Sequence, residues 1–409
     1  MAARHAPERS GSRPKIAFIK RGHFSGTNCR TREELERNFP EFDLEEIDLG
    51  LDLLKQHPAI MLLNWLWVFA LYGWAILRHR RPVSPCFYYT PFIFHQIRRL
   101  LLAHLAGREP EFAFTISTQS LFDAHLPGLP HFIYTDHTHL ANLRSPTFHR
   151  AFLATEKWLA LERSVYQHAT RVFVMGENTR LSLIEQYACD PHRIRCVYAG
   201  SHIDTSLVPL DNAAFRNRTI LFVGIDWERK GGPELLAAFH RVLARLPDAR
   251  LRIVGAAPAI THPQIEVLGR VPIDRVKQLL TQSTLLCLPS RFEPFGIAVL
   301  EAFAVEIPAV VTRIGALEHL VTDGETGRVV PPGDIPALAD ALTDLLSDPE
   351  KSQRFGQNGH RFAREHCTWE AVGKKLRAEI VPLLAGQNQD AEKQLGLQSE
   401  IPTSPAPRQ

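Results

Sequence analysis

Short apolar runs alternate along the chain with longer amphipathic segments, a pattern that predicts strands and helices in turn. In the first half, the predicted strands are 15–20 (KIAFIK), 42–49, 112–117, 131–136, 171–176 and 193–200. A second series comprises 219–224 (TILFVG), 249–255, 265–269, 284–290, 309–313 and 327–332. Because strands that alternate with helices form parallel sheets covered by helices, the pattern predicts α/β architecture twice over.

The repeated pattern predicts two Rossmann-like domains that face each other across a cleft, with functional sites at the carboxyl ends of the strands. We expect an N-terminal domain at 14–200, a linker at 201–218 and a C-terminal domain at 219–368. A closing helix at 369–386 is expected to pack back on the N-terminal domain. Residues 1–13 and 387–409 lack apolar periodicity and are predicted to be a disordered lead and tail.

Composition narrows the class of protein. The 409 residues are 45% hydrophobic and 22% charged, and these values are typical of a globular protein. A net charge of +3 and the lack of a nucleic-acid-binding signature argue against a nucleic-acid partner. Six scattered cysteines without a metal spacing favour reduced thiols in the cytoplasm. The polar N-terminus has no apolar core of a secretory signal.

One segment departs from the globular pattern. Residues 59–77 (AIMLLNWLWVFALYGWAIL) are apolar apart from Asn64, and the basic sequence RHRRP follows. The segment is close to the length of a membrane span, while its tryptophans and following arginines suit a membrane surface. Three interpretations stay open: a buried helix, a helix on the inner face of a membrane that contacts it through 59–81, and a true span.

The stretch PSRFEPFGIAVLEAF at 289–303 places Glu293 before a predicted helix start and Glu301 about two turns into the helix. The free backbone N–H groups of Phe295, Gly296 and Ile297 would form an anion site at that helix N-terminus. Carboxylates accept paired hydrogen bonds from vicinal hydroxyls, such as those of a sugar or a ribose. The spacing therefore favours a site for a nucleotide sugar over two unrelated acids.

The same stretch resembles the signature of GT-B retaining glycosyltransferases of the family-4 type. Further similar segments are FVGIDWERKGGPELLAAF, VLGRVPIDRVKQLL, HLVTDGETGRVVPPGD and CTWEAVGKKL. The resemblance covers about residues 170–380. It implies that Glu301 holds the donor ribose, that Glu293 and the amides at 295–297 face the donor sugar or diphosphate, and that Lys230 neutralises the diphosphate. In the family, an arginine often follows the strand glycine; here Ile225 follows Gly224, and Arg229 is the candidate substitute from the loop. By the same analogy, the base lies near Arg270 and Val271.

The N-terminal half carries a cluster of polar residues in YTDHTHLAN at 134–142, where Asp136, His137 and His139 follow a predicted strand. The resemblance implies that one of them, with His137 as first choice, assists at the reacting face. A metal site is the weaker alternative, because no further ligand cluster is evident. The loop RGHFSGTN at 21–28 is expected on the acceptor side, with Gly22 and His23 as candidate contacts, although an ordinary turn is as plausible.

Together these features predict a retaining glycosyltransferase that moves a sugar from a nucleotide-diphosphate sugar to a carbohydrate or lipid-linked acceptor. Lys230, Arg229 and the amides at 295–297 could stabilise the leaving diphosphate electrostatically, so we expect no cofactor and no metal to be required. A nucleotide-sugar epimerase, a non-catalytic GT-B-like binding module at a membrane and a sugar phosphorylase remain alternatives. A sugar phosphorylase usually carries a pyridoxal cofactor on a lysine, and nothing in the sequence marks such a lysine.

Overall fold

A computed structural model of the protein describes residues 13–203 and 212–399, with side chains up to residue 386 except at Ser25 and Asn212. The N-terminal part contains a six-stranded parallel sheet in the order β2-β1-β3-β4-β5-β6. Its strands are β1 Lys15–Lys20, β2 Asp43–Asp48, β3 Phe112–Thr118, β4 His131–Thr135, β5 Arg171–Val174 and β6 Ile194–Cys196.

The C-terminal part contains a second six-stranded parallel sheet, in the order β12-β11-β10-β7-β8-β9. Its strands are β7 Thr219–Gly224, β8 Arg250–Gly255, β9 Ile265–Gly269, β10 Leu285–Leu288, β11 Ala309–Thr312 and β12 Gly327–Val330. The prediction of two Rossmann-like α/β domains facing each other across a cleft is confirmed.

Helices cover both sheets. In the N-terminal part they are α1 Thr27–Asn38, α2 Pro58–His79, α3 Val83–Cys86, α4 Pro91–Leu105, α5 Glu156–His168 and α6 Glu177–Glu185. In the C-terminal part they are α7 Gly232–Leu243, α8 Ile273–Thr281, α9 Ile297–Ala304, α10 Leu317–Leu320, α11 Ile335–Ser347, α12 Pro349–His366 and α13 Trp369–Ser399.

Several helices begin where a side chain satisfies an otherwise unpaired backbone N–H group. Thr90 accepts a hydrogen bond from the Ile93 amide at 3.1 Å at the start of α4. Asp348 does the same for the Lys351 amide at 2.9 Å at the start of α12. Each cap is followed directly by proline, which suits the first helical position because its missing N–H would have no intrahelical partner.

The last helix crosses back to the first domain. The Arg377 guanidinium forms an ion pair of 2.8 Å with Glu41, in the loop between α1 and β2, and Glu379 pairs with Arg195 at 3.2 Å and with Arg171. These contacts fix the C-terminal helix on the N-terminal sheet, so the two domains are joined both by the linker and by α13.

The interpretation of 59–77 as a buried helix is wrong. The segment does form a helix, α2, but only 17% of its most apolar 18 residues are buried, namely Asn64, Val68 and Tyr72. Trp74 is 74% exposed and Leu77 is 83% exposed. In the described residues, α2 is the one helix long and apolar enough to cross a membrane. The packed and the exposed face of α2 could not be distinguished from the sequence, because nearly every position on both faces is apolar.

One further expectation differs from the structure. The tail predicted to be disordered from residue 387 continues α13 to Ser399, since its residues include good helix formers that extend a helix already begun. Residues 1–12 and 400–409, and residues 204–211 of the linker, lie outside the described residues.

Candidate active site

A cavity of about 450 Å³ opens between the two domains at the carboxyl ends of their strands. The C-terminal domain contributes the turn after β10 and the first half of α9, and the N-terminal domain contributes the polar residue that follows β4. We call it the donor-side cavity, and it is lined by Phe24, Thr27, Asp136, Met175, His202, Arg229, Lys230, Phe292, Glu293, Pro294, Phe295, Gly296, Ile297, Ala298 and Glu301.

Helix α9 presents its N-terminus to this cavity. It begins at Ile297, with Gly296 as its N-cap in the left-handed region at φ +102°. No side chain caps the helix, in contrast to α4 and α12, so the first backbone N–H groups have no side-chain partner at the cap. A Cβ atom on Gly296 would lie 2.6 Å from Cδ2 of Leu317, so both the backbone angle and the space require glycine. The result is a positively polarised surface suited to a phosphate.

Glu301 lies on the cavity side of α9, and its side chain is 6% exposed. Burial raises the pKa of this carboxyl from 4.5 to about 7, while the neighbouring charge of Lys230 acts in the opposite direction. A buried carboxyl that has no hydrogen-bond partner in the described part of the chain is a strong acceptor for ligand hydroxyl groups.

Lys230 and Glu293 form an ion pair inside the cavity. The carboxylate of Glu293 also lies 3.5 Å from the Ser290 hydroxyl, and both members of the pair are largely buried. Space for the lysine stem depends on Gly224, where a Cβ atom would lie 2.9 Å from Cγ of Lys230. Arg229 donates a hydrogen bond of 3.0 Å to the Phe292 carbonyl, so its guanidinium lies beside the same turn.

The three polar residues after β4 have different surroundings. Asp136 lies at the edge of the donor-side cavity, where burial, and secondarily the charge of Glu293, raise the pKa of its carboxyl to about 7. The ring of His137 packs edge-on against Phe292 at 5.3 Å across the domain boundary. Both ring nitrogens of His137 are shielded from solvent without good hydrogen-bond geometry, and burial lowers its pKa to about 4. The imidazole is therefore neutral at pH 7.

His139 has a different environment. Its Nε2 accepts a hydrogen bond of 2.8 Å from the Ala154 amide, and its ring packs against Tyr89 and Trp158. Burial lowers the pKa of His139 to about 3. Its contacts are those of a residue that holds the N-terminal domain together, although its ring also borders a second cavity.

The second cavity, of about 290 Å³, adjoins the first at Asp136 and lies wholly within the N-terminal domain. We call it the acceptor-side cavity, and it is lined by Arg21, Ser84, Pro85, Tyr88, Tyr89, Gln119, Ser120, Leu121, Thr135, Asp136, His137, Thr138, His139, Trp158 and Glu162. A molecule in this cavity would therefore meet a molecule in the donor-side cavity beside Asp136.

Four of the predicted site residues lie outside both cavities. Gly22 donates its amide to Asp48 at 3.0 Å, and His23 is exposed. The loop instead contributes Arg21 to one cavity, and Phe24 and Thr27 to the other. Arg270 and Val271 follow the edge strand β9 and do not line the donor-side cavity.

The remaining predicted residues are brought together, but several lining residues were not anticipated. Gln119 follows β3, just as Asp136 follows β4, so a polar residue at a strand end was the signal that could have identified it. Glu162 and Tyr88 carry no comparable signal. In residues 13–203 and 212–399, no group of three or more histidine, cysteine or acidic side chains is arranged to hold a metal ion.

The chain is similar in sequence to known proteins. Residues 212–362 match the family described as glycosyl transferases group 1. The chain is 29% identical over 233 residues to an MMP α-(1→4)-mannosyltransferase of Mycolicibacterium hassiacum, covering 54% of this chain and 56% of that protein. It is 28% identical over 262 residues to a D-inositol 3-phosphate glycosyltransferase of Corynebacterium glutamicum, covering 58% and 62%. The matched segment thus spans little more than half of these relatives.

Solved structures share the fold along almost the whole chain. Sucrose-phosphate synthase from Thermosynechococcus elongatus superposes with a TM-score of 0.64 at 16% identity, covering 91% of this chain and all of that one. The Anabaena protein HepE, in complex with UDP and glucose, superposes with a TM-score of 0.59 at 16% identity, covering 90% and 99%. At these identities, the likeness is one of fold.

Proposed function

Since residues 212–362 belong to the glycosyl transferases group 1 family, we propose that this protein transfers a sugar from a nucleotide-diphosphate sugar to an acceptor hydroxyl. The observation that carries the proposal is the convergence of Glu293, Lys230, Glu301 and the uncapped start of α9 in one cavity beside Asp136. Glu293 suits the hydroxyls of a sugar, Lys230 and the start of α9 suit a diphosphate, and Glu301 suits a ribose.

The donor would replace the ion pair between Lys230 and Glu293 with contacts of its own. The ion pair between Lys230 and Glu293 opens, so that the ammonium meets the diphosphate and the carboxylate meets sugar hydroxyls. The N–H groups at the start of α9 meet the phosphate oxygens from the other side. Glu301 accepts hydrogen bonds from the ribose hydroxyls.

In the transfer step, the acceptor oxygen bonds to the anomeric carbon while the bond from that carbon to the diphosphate oxygen breaks. Negative charge develops on the departing diphosphate, and Lys230, Arg229 and the α9 amides lie where they can stabilise it. This preorganised positive charge is our reason for proposing that the reaction is metal-independent. A water-poor site around the shielded ring of His137 would limit hydrolysis of the donor.

We propose retention of configuration at the anomeric carbon. In a front-face reaction, the leaving phosphate accepts the acceptor's proton on the same face of the sugar, so that no covalent nucleophile is needed. The α-linkage named for the mannosyltransferase relative is in keeping with this stereochemistry.

The test is turnover with a panel of UDP-, GDP- and ADP-sugars, followed through release of the nucleoside diphosphate. We expect one base to support release, and NMR of the product to show the anomeric configuration of the donor. Inverted product would contradict retention, and conversion of the donor without transfer would favour an epimerase.

We further infer that the protein works at the cytoplasmic face of a membrane, with a carbohydrate or lipid-linked acceptor, and contacts the membrane peripherally through 59–81. The exposed apolar face of α2 supports the contact, and six free thiols are in keeping with the cytoplasm. Cell fractionation tests the placement: the chain should sediment with membranes and be released by alkaline carbonate. Retention after carbonate would indicate a true span instead.

A further inference from the structure

We propose that the acceptor is a membrane amphiphile with an anionic, hydroxyl-bearing head group, which enters the acceptor-side cavity from a bilayer on which α2 lies. The inference rests on the proposed function and names the acceptor class for the same site. Three features of the described residues carry it: a cation in the cavity, polar groups left for a ligand, and the attachment of the cavity wall to α2.

The cation is Arg21. Its guanidinium lies 4.1 Å from the centre of the Tyr88 ring and lines the cavity. No carboxylate of the described residues lies within ion-pair distance of it, whereas Lys20 beside it pairs with both Glu46 and Asp48. A stacked guanidinium with free donors is suited to bidentate binding of a phosphate.

The polar group is Gln119. Its backbone lies in the left-handed region at φ +72°, which is uncommon for a residue other than glycine. Its backbone N–H donates a hydrogen bond of 3.2 Å to the Tyr134 carbonyl. The side-chain oxygen is buried without a hydrogen-bond partner in the described part of the chain. Strained backbone that holds an unpaired acceptor in a cavity favours a ligand hydroxyl as its partner.

Glu162, by contrast, already accepts several hydrogen bonds from the protein itself. Its carboxylate accepts hydrogen bonds from the Ser120 hydroxyl at 2.9 Å and the His139 amide at 3.0 Å, as well as from Tyr187. This network fixes the floor of the cavity, so the Glu162 carboxylate is not available to a head group, whereas Arg21 and Gln119 are.

The wall formed by residues 84–89 joins the cavity to α2. The buried amide of Asn64 donates a hydrogen bond of 2.7 Å to the Phe87 carbonyl, and the Tyr72 hydroxyl donates to the Tyr89 carbonyl. On its other side, Tyr89 packs against His139 and Trp158. One face of α2 is therefore committed to the cavity wall, and a spanning orientation would have to break these buried hydrogen bonds.

The opposite face of α2 is apolar and exposed, and includes Leu62, Leu63, Leu66, Trp67, Phe69, Leu71, Trp74 and Leu77. At 1.5 Å per residue the helix is roughly 33 Å long, so it presents an extended apolar strip. Arg78, Arg80 and Arg150 lie exposed around its C-terminal end, where the His79 and His149 rings are in contact. Apolar rings with a basic end match an anionic bilayer better than a second protein surface.

In the resulting reaction, the head-group hydroxyl bonds through its oxygen to the anomeric carbon of the donor sugar. The bond between that carbon and the diphosphate breaks, and the hydroxyl proton passes to the departing phosphate. The lipid chains stay in the bilayer beside α2, and the head group's phosphate stays on Arg21.

The membrane arm of the test uses full-length protein and vesicles of phosphatidylcholine, alone or mixed with phosphatidylglycerol. We expect the protein to float with the mixed vesicles, and the Trp67→Gln/Trp74→Gln variant to bind them at least about tenfold more weakly. Leu62→Ser/Leu66→Ser provides a second variant of the same face. Ile273→Gln removes an exposed apolar residue from α8 instead, and this variant should bind like the wild type.

The head-group arm measures calorimetric binding of glycerol 1-phosphate and of inorganic phosphate. Arg21→Gln should weaken binding of glycerol phosphate about tenfold, and Arg99→Gln, an exposed arginine on α4, should not change it. Inorganic phosphate should bind more weakly than glycerol phosphate, because it lacks the glycerol hydroxyl groups that would donate hydrogen bonds to the side-chain oxygen of Gln119.

Specific results would overturn the inference. Head-group binding without vesicle binding would indicate a soluble anionic acceptor, and equal affinity for inorganic phosphate would indicate a general anion site. Self-association that depends on Trp67 and Trp74 would assign α2 to a second copy of the chain. Nucleotide binding, measured on the same samples, distinguishes a failure of the proposed function from a failure of this inference. If the protein binds nucleotide but not vesicles, only this inference fails.

Discussion

Lys230 and Glu293 form a largely buried ion pair between the loop after β7 and the turn before α9. Each member is a candidate contact for a different part of the donor, and within the pair each charge neutralises the other. Burying either charge alone would be costly, so the pair stabilises this part of the cavity, and we expect donor binding to exchange one set of charged contacts for another.

Replacing Lys230 by alanine should therefore lower turnover about a hundredfold to a thousandfold, because the diphosphate loses a positive charge as it departs. Single-turnover kinetics with saturating donor would measure the effect. Lys277→Ala, on α8, is the control and should keep the wild-type rate. A Lys230→Ala enzyme that works at full rate would remove the lysine from the leaving-group role.

Glu301 predicts a pH dependence of stability. Its pKa is 4.5 ordinarily and about 7 in the folded protein, so the folded state holds this proton more tightly than the unfolded chain. The stabilisation is fully present below pH 4.5 and is lost as the pH rises through about 7. Over this range the loss amounts to at most about 3 kcal/mol.

Glutamine cannot lose the proton, so Glu301→Gln should gain stability relative to the wild type between pH 5 and pH 8. Urea unfolding of both proteins at the two pH values measures the difference. Glu325→Gln, at an exposed position, should follow the wild type. Parallel stability curves for wild type and Glu301→Gln would show that Glu301 is not protonated by burial.

His137 and His139 should respond differently to alanine substitution. His137→Ala should reduce turnover more than stability, because the ring makes no well-formed hydrogen bond and faces the domain boundary. His139→Ala leaves the Ala154 amide unpaired in the interior and should cost about 1–3 kcal/mol of stability. Turnover and thermal unfolding of both variants would separate these roles, and identical behaviour of the two would contradict the assignment.

Gly296→Ala tests the start of α9. The added Cβ atom meets Leu317 at 2.6 Å in a backbone conformation that alanine disfavours, so the N–H groups should move and nucleotide affinity should fall about tenfold or more. Gly324→Ala shares a positive φ, of +77°, but has open space around it. Nucleotide titration of both variants is informative: equal affinities would mean that the helix start is not part of the site.

The C-terminal half could be predicted well from sequence because its strands are short apolar runs, and the chemistry follows directly after them. The segment around Glu293 and Glu301 combines a strand, a turn and a helix within 15 residues, so local rules suffice to bring its groups to one place. Arg270 and Val271 were placed by analogy alone, and the edge position of β9 keeps them away from the cavity.

The N-terminal half depends on contacts between distant segments. Gly22 and His23 were chosen for residue type, but the direction of the loop turns Arg21, Phe24 and Thr27 towards the cavities. The burial of α2 could not be read from an almost uniformly apolar helix. Its one polar residue, Asn64, marks the packed face, because a buried amide needs partners that Phe87 and Thr90 supply.

Nucleotide binding to the donor-side cavity is the central claim, and thermal unfolding in the presence of UDP, GDP and ADP tests it most directly, because a ligand of the folded state raises its apparent stability. We predict that one of the three raises the unfolding temperature of the wild type and of Glu325→Ala, and that the increase disappears in Glu301→Ala. A folded wild-type protein whose unfolding temperature none of the three changes, or a shift that Glu301→Ala retains in full, would contradict the account.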